Sequence, residues 1–167
     1  MQALYVTSVF LHILSAIVWI GGMFFLILVV VPWLRAGNRA QAGAFLRDTG
    51  IRFRTVGWAC LLTLLGTGTL NLWLRQVQLA DLTRPEWLAT PFGRTVVAKL
   101  VLFGLVLAIS VVHDFYVGPA ATSAMRDDPG GERALRLRSA ASWMGRINAL
   151  LALALVFLGV VLVRGWP

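Results

Sequence analysis

The chain has 167 residues, 59% of them hydrophobic and 13% charged, with a mean hydropathy of +0.80 and a formal net charge of +8. A soluble domain is nearer half apolar and a quarter charged, so these totals describe an integral membrane protein, read as one domain over 1–167. Fourteen of the fifteen basic residues are Arg set between apolar runs, the pattern of membrane-flanking loops and not of a nucleic-acid partner, and the lone Cys60 excludes a disulfide framework or thiolate cluster within one chain.

No Asp, Glu, Lys or Arg occurs from Met1 to Leu34, well beyond the ~20 apolar residues that cross a bilayer. The first span is placed at about 5–33. It is too long for a signal h-region and lacks a basic n-region, so it is expected to stay as a spanning helix. His12, Ser15, Trp19, Gly22 and Met23 recur on it at helical spacing and mark one face. An ionisable residue inside a span is a functional-site hypothesis by default.

The first loop carries Arg35, Arg39, Arg47, Arg52 and Arg54 against Asp48, and Asp48-Thr49 is a weak cap signal for a short interfacial helix. The second span, about 55–74, is charge-free, with Gly57, Gly66 and Gly68 along it and Asn71 near its far end. After a nearly balanced loop, a third span starts near Thr95 and is expected to stop at the Gly118-Pro119 breaker, giving about 95–117. It holds Lys99 near its start and His113-Asp114 near its end. The last span is placed at about 144–163, with residues 131–142 able to extend it as helix. No internal repeat shows at helix-plus-loop length.

Four spans with short loops predict an all-α, up-down four-helix bundle with both termini on one side. Loops one and three hold ten Arg, against four in the remaining extramembrane segments. The positive-inside rule then puts both termini in the periplasm, for a multi-pass protein of a bacterial-type inner membrane. In that topology His12, Asn71 and Lys99 share one layer, while His113, Asp114, Arg52, Arg54, Arg146 and Asn148 share the other. Lys99 and His113 are fourteen residues apart, or about 21 Å along a helix axis. One metal ion cannot bridge that separation within a chain.

His12 suits an axial haem ligand or a copper ligand; the plainer alternative is an imidazole bonded to a neighbouring helix. Haem is favoured because the glycines, Gly22 among them, offer room for a flat macrocycle, with Trp19, Phe24, Phe25, Trp58 and Phe103 to line it. Copper pathways favour soft Met and Cys ligands, and here the methionines are scattered. Lys99 can pair a carboxylate, supply a proton, or simply snorkel to the surface. His113-Asp114 can orient one another around a metal or haem, or belong to a salt-bridge cluster with Arg54 or Arg146.

The stretches LHILSAIVWIGGMFF, FRTVGWACLLTLLGTGTLNLWL, FGRTVVAKLVLFGLVLAISVVHDFYVGP and ASWMGRINALLALALVFLGVVLVRG resemble, in order, the copper resistance D (CopD) membrane family. The layout is also similar to the HemJ-type protoporphyrinogen oxidases: a first-helix His followed by Trp-x-x-Gly, a third-helix Lys, and Arg-x-Asn entering helix four. The resemblance implies haem b, with His12 and Lys99 functional and Arg146 and Asn148 as further matches. Three functions follow as expectations: a haem-dependent membrane oxidoreductase, a copper permease using His12 and His113 as separate stations, or a structural subunit. A homodimer is expected, because four helices make a thin wall around a large cofactor.

Overall fold

The computed structural model is all-α, with no strand among the described residues, which are 1–36, 39–128 and 130–166. Side chains are described for these apart from 34, 35, 39–44, 46 and 47, so Arg35, Arg39 and Arg47 of the charge argument lie outside the described set. The elements are α1 (Gln2–Phe25), α2 (Val31–Arg35), α3 (Arg39–Leu74), α4 (Pro85–Leu88), α5 (Pro91–Val112), α6 (Gly118–Asp127) and α7 (Glu132–Arg164), with π turns at Leu26–Val30 and His113–Val117. Among the described residues, four segments are long and apolar enough to cross a membrane: Gln2–Trp33, Asp48–Leu74, Pro91–Asp127 and Glu132–Arg164. Helix is forced on them, because lipid offers no partner for an open N–H or C=O.

The accessible surface is 10802 Å², against about 8,100 Å² expected for a soluble monomer of this mass. The excess is apolar side chain turned outward. Phe10, Ile17, Leu62, Phe157 and Val163 are all more than half exposed, which lipid tolerates and water would not. The molecule is a multi-pass membrane protein whose bundle faces lipid.

Packing organises the spans as two hairpins. α1 lies along α3, α5 lies along α7, and α1 also touches α7. Between them sits a small core of Trp19, Met23, Cys60, Leu61, Val106, Ala149 and Ala152. The alanines of α7 let the backbones approach, as small residues do between membrane helices. Tyr5 meets Arg75, and Thr95 meets Trp166, so both termini emerge at one end of the bundle, here called the terminal end.

Three boundaries differ from the sequence reading. Asp48 and Thr49 lie inside α3 and not at its start. Residues 132–142 continue α7 without a break. The Gly118-Pro119 pair does not end the third helix: a π turn precedes it and α6 runs on to Asp127. Proline lacks an N–H and its ring crowds the carbonyl one turn back, and a turn with one extra residue relieves both demands. Pro32 is handled in the same way, directly after the π turn Leu26–Val30. Gly118 is needed as glycine, since a Cβ there would stand 2.9 Å from the His113 carbonyl oxygen.

Candidate functional site

The polar residues fall into two groups at opposite ends of the bundle. At the terminal end, His12 Nδ1 lies 2.8 Å from Thr67 Oγ1 across the α1–α3 interface. Thr67 has a single hydroxyl proton, and its Oγ1 donates within its own helix to the Thr63 carbonyl oxygen, 2.6 Å away. With that proton on Thr63, Thr67 accepts from His12. The imidazole is held as the Nδ1–H tautomer, and Nε2 keeps a free lone pair. That is how ligating histidines are usually prepared, with the far nitrogen donating to a fixed acceptor.

Ser8 donates to the Thr67 carbonyl oxygen at 3.4 Å, one helical turn toward the N-terminus from His12. Gly68 gives the imidazole its place: a Cβ there would be 3.4 Å from His12 Cε1. Lys99 stands against Gly159 of α7, its Nζ 3.5 Å from where a Cβ would lie. Among the described residues it has no hydrogen bond or ion pair. His12 and Lys99 are within electrostatic range of one another, as are Lys99 and Arg75. Arg75 itself donates to the Tyr5 hydroxyl at 2.7 Å from Nη2. Asn71, one turn before Arg75, keeps a buried Oδ1 without a partner.

At the other end, Asp114 is the hub. Its Oδ1 accepts from His113 Nδ1 at 2.8 Å, its Oδ2 accepts from Trp58 Nε1 at 2.9 Å, and its backbone carbonyl accepts from Arg54 at 3.0 Å. Both carboxylate oxygens are thus occupied, and His113 likewise keeps Nε2 free. The Arg54 guanidinium and the Trp58 ring both pack on Phe115. Arg146 is not in this group; it is exposed and lies over the Trp143 ring. Asn148 turns inward and donates to Ser110 Oγ at 3.0 Å.

Of the glycines assigned to a macrocycle, Gly22, Gly57 and Gly68 are spoken for, while Gly66 has nothing within 4 Å of a would-be Cβ. A Cβ on Gly22 would fall 2.5 Å from the Phe53 ring, and one on Gly57 would fall 3.5 Å from Trp19. Trp19 is buried core, not a wall of open space. Gly22→Ala should therefore cost about 1–3 kcal/mol as an overpacked contact. Thermal unfolding in detergent checks this, and Gly22→Ala with Phe53→Leu should recover most of the loss.

Among the described residues no group of three His, Cys, Asp or Glu side chains comes together as metal ligands. Each end offers one imidazole. Sequence reasoning missed Thr67, Ser8, Ser110 and Phe53. Thr63, Thr67 and Asn71 at four-residue spacing were the available signal for a polar face on the second span.

A helical multi-pass membrane protein with one imidazole at each end of its bundle is the class these features define. The family profile described as Copper resistance protein D matches residues 47–162, and the chain belongs to this CopD family. His12 lies before the matched segment. An Aquifex aeolicus (strain VF5) protein carrying the name "Uncharacterized protein" is 33% identical over 158 residues, covering 94% of each chain. No solved structure matches.

Proposed function

We propose that the protein binds haem b through His12 and serves a redox or copper-linked role in the membrane. One observation carries this reading. Among the described residues of the terminal end, the only imidazole is His12, and its Nε2 lone pair is left free by the bond to Thr67. A bare copper ion needs several protein donors, whereas haem iron arrives with four porphyrin nitrogens and asks for one axial ligand. The chemistry that haem supplies when bound is one-electron transfer at iron.

The chain's own residues have separable parts in this reading. Thr67 holds the imidazole in its ligating tautomer. Lys99, the unpaired cation of the same layer, pairs with a propionate. Arg75 and Tyr5 close the mouth of the layer. The spaces beside Gly22, Gly57 and Gly68 are filled by Phe53, Trp19 and His12, so the macrocycle has its room between His12 and Lys99, where the bundle opens to its surface. A homodimer whose second copy covers that surface is part of the proposal. An enzymatic role, as a membrane oxidoreductase, belongs to the same reading.

Copper transfer is the second reading, favoured by the family's description and by both imidazoles keeping Nε2 free. In it His12 and His113 are separate stations at opposite faces. Absorption spectroscopy together with metal analysis of the purified protein separates the two. A Soret band with little copper supports haem; retained copper without a Soret band supports transfer.

We place both termini in the periplasm of a bacterial-type inner membrane, on ten Arg against four in the alternating extramembrane segments. Alkaline phosphatase fused after Trp166 should be active. Activity of a cytoplasm-only reporter at that position would invert the assignment.

A further inference from the structure

Burial repeats along the chain where the residue types do not. In the first helix of hairpin one, Ser8, Trp19 and Met23 are buried; 87 positions later Thr95, Val106 and Ser110 are buried in the first helix of hairpin two. The same interval carries the π turn Leu26–Val30 onto the π turn His113–Val117, and Pro32 onto Pro119. In the second helices the interval is 91. Buried Leu61 and Thr67 recur as buried Ala152 and Leu158, and buried Gly57 as Asn148. Two π turns at one register are a strong coincidence to reject, because such turns are rare and usually single.

We infer that the chain is a tandem duplication of one helical hairpin, and that His12 and Lys99, which occupy equivalent positions of the two copies, form the two walls of one ligand site between them. The interval from 12 to 99 is the same 87. Each residue stands against a glycine of its own hairpin's second helix, His12 at Gly68 and Lys99 at Gly159, and those glycines are 91 apart. Membrane proteins with parallel internal repeats, related by an axis along the membrane normal, commonly place their site between the copies.

The two walls have diverged in chemistry. His12 offers a lone pair to a metal, and the Lys99 ammonium offers a charge to an anion. None of the seven carboxylates lies in the terminal half of a span, so within the chain the Lys99 charge has no acidic neighbour at its own depth. The ligand that satisfies both is a metal centre with a carboxylate attached, and this inference rests on the haem reading. The clamp has diverged as well: the position equivalent to Thr67 is Leu158, which has no acceptor for an imidazole N–H.

Equivalence makes an unusual demand: the two walls can be exchanged. The test titrates purified full-length protein in detergent with hemin, reading the Soret band, with size-exclusion profiles as the check on folding. His12→Lys alone should lower hemin affinity more than about 100-fold, beyond the 10–100-fold typical of losing a ligand's hydrogen-bond partner. His12→Lys with Lys99→His should recover part of it, and adding Leu158→Thr should bring affinity to within about tenfold of wild type, because the new imidazole then has its acceptor. A monodisperse triple variant that binds hemin no better than His12→Lys would overturn the equivalence while leaving the haem reading intact. A triple variant that does not fold would also count against it, since equivalent positions should accept each other's residues. Wild-type protein that takes up no hemin would overturn both.

Discussion

His12→Ala should abolish hemin binding by the purified protein, and free imidazole should restore it. Removing the side chain deletes the one imidazole among the described residues of the terminal end, and leaves a void beside Gly68 that a small imidazole can enter. Were His12 only a contact between helices, its loss would cost nearer ~0.6 kcal/mol, the average for polar contacts between membrane helices, and hemin binding would not follow it. His113→Ala serves as the control. It sits fourteen residues beyond Lys99, about 21 Å along the axis, and should leave the Soret band unchanged. If His113→Ala and His12→Ala each remove the same spectral species from folded protein, the separation of the two ends fails, or a dimer joins them.

Thr67→Val should weaken hemin binding by about 10–100-fold without changing the fold, and Thr67→Ser should behave as wild type. Valine keeps the shape of threonine and removes the acceptor. The imidazole can then turn, or carry its proton on Nε2, and either change withdraws the lone pair. The hydroxyl's other bond, to the Thr63 carbonyl, stays within one helix, so its loss perturbs the α1–α3 packing little. Hemin titration of the three proteins reads this directly. Equal loss in the valine and serine variants would mean that packing at residue 67 matters and the hydroxyl does not.

The four spans were legible because each is an apolar run longer than a bilayer, and nothing but helix satisfies such a run in lipid. The two polar ends followed from the positions of His12, Lys99 and His113 and the alternation of the helices. What was not legible depends on helical phase and on contacts between helices. Arg146 was grouped with Asp114, yet it lies two residues from Asn148, about 200° around the helix. With Asn148 turned inward to Ser110, Arg146 must face out. Gly22 reads as open space in a sequence, because the ring that fills it, Phe53, comes from another helix. Thr67 reads as one more hydroxyl in a run of LTLLGTGTL, and only its pairing with His12 gives it a task. Gly118-Pro119 reads as a stop, and a π turn carries the helix through it.

The most direct test of the haem assignment is a hemin titration of the purified wild-type protein, followed by absorption, with copper measured on the same sample. A shifted Soret band that saturates at no more than one hemin per chain, with copper at background, is the predicted result. A spectrum that stays that of free hemin at every ratio, in protein that retains stoichiometric copper, would contradict it.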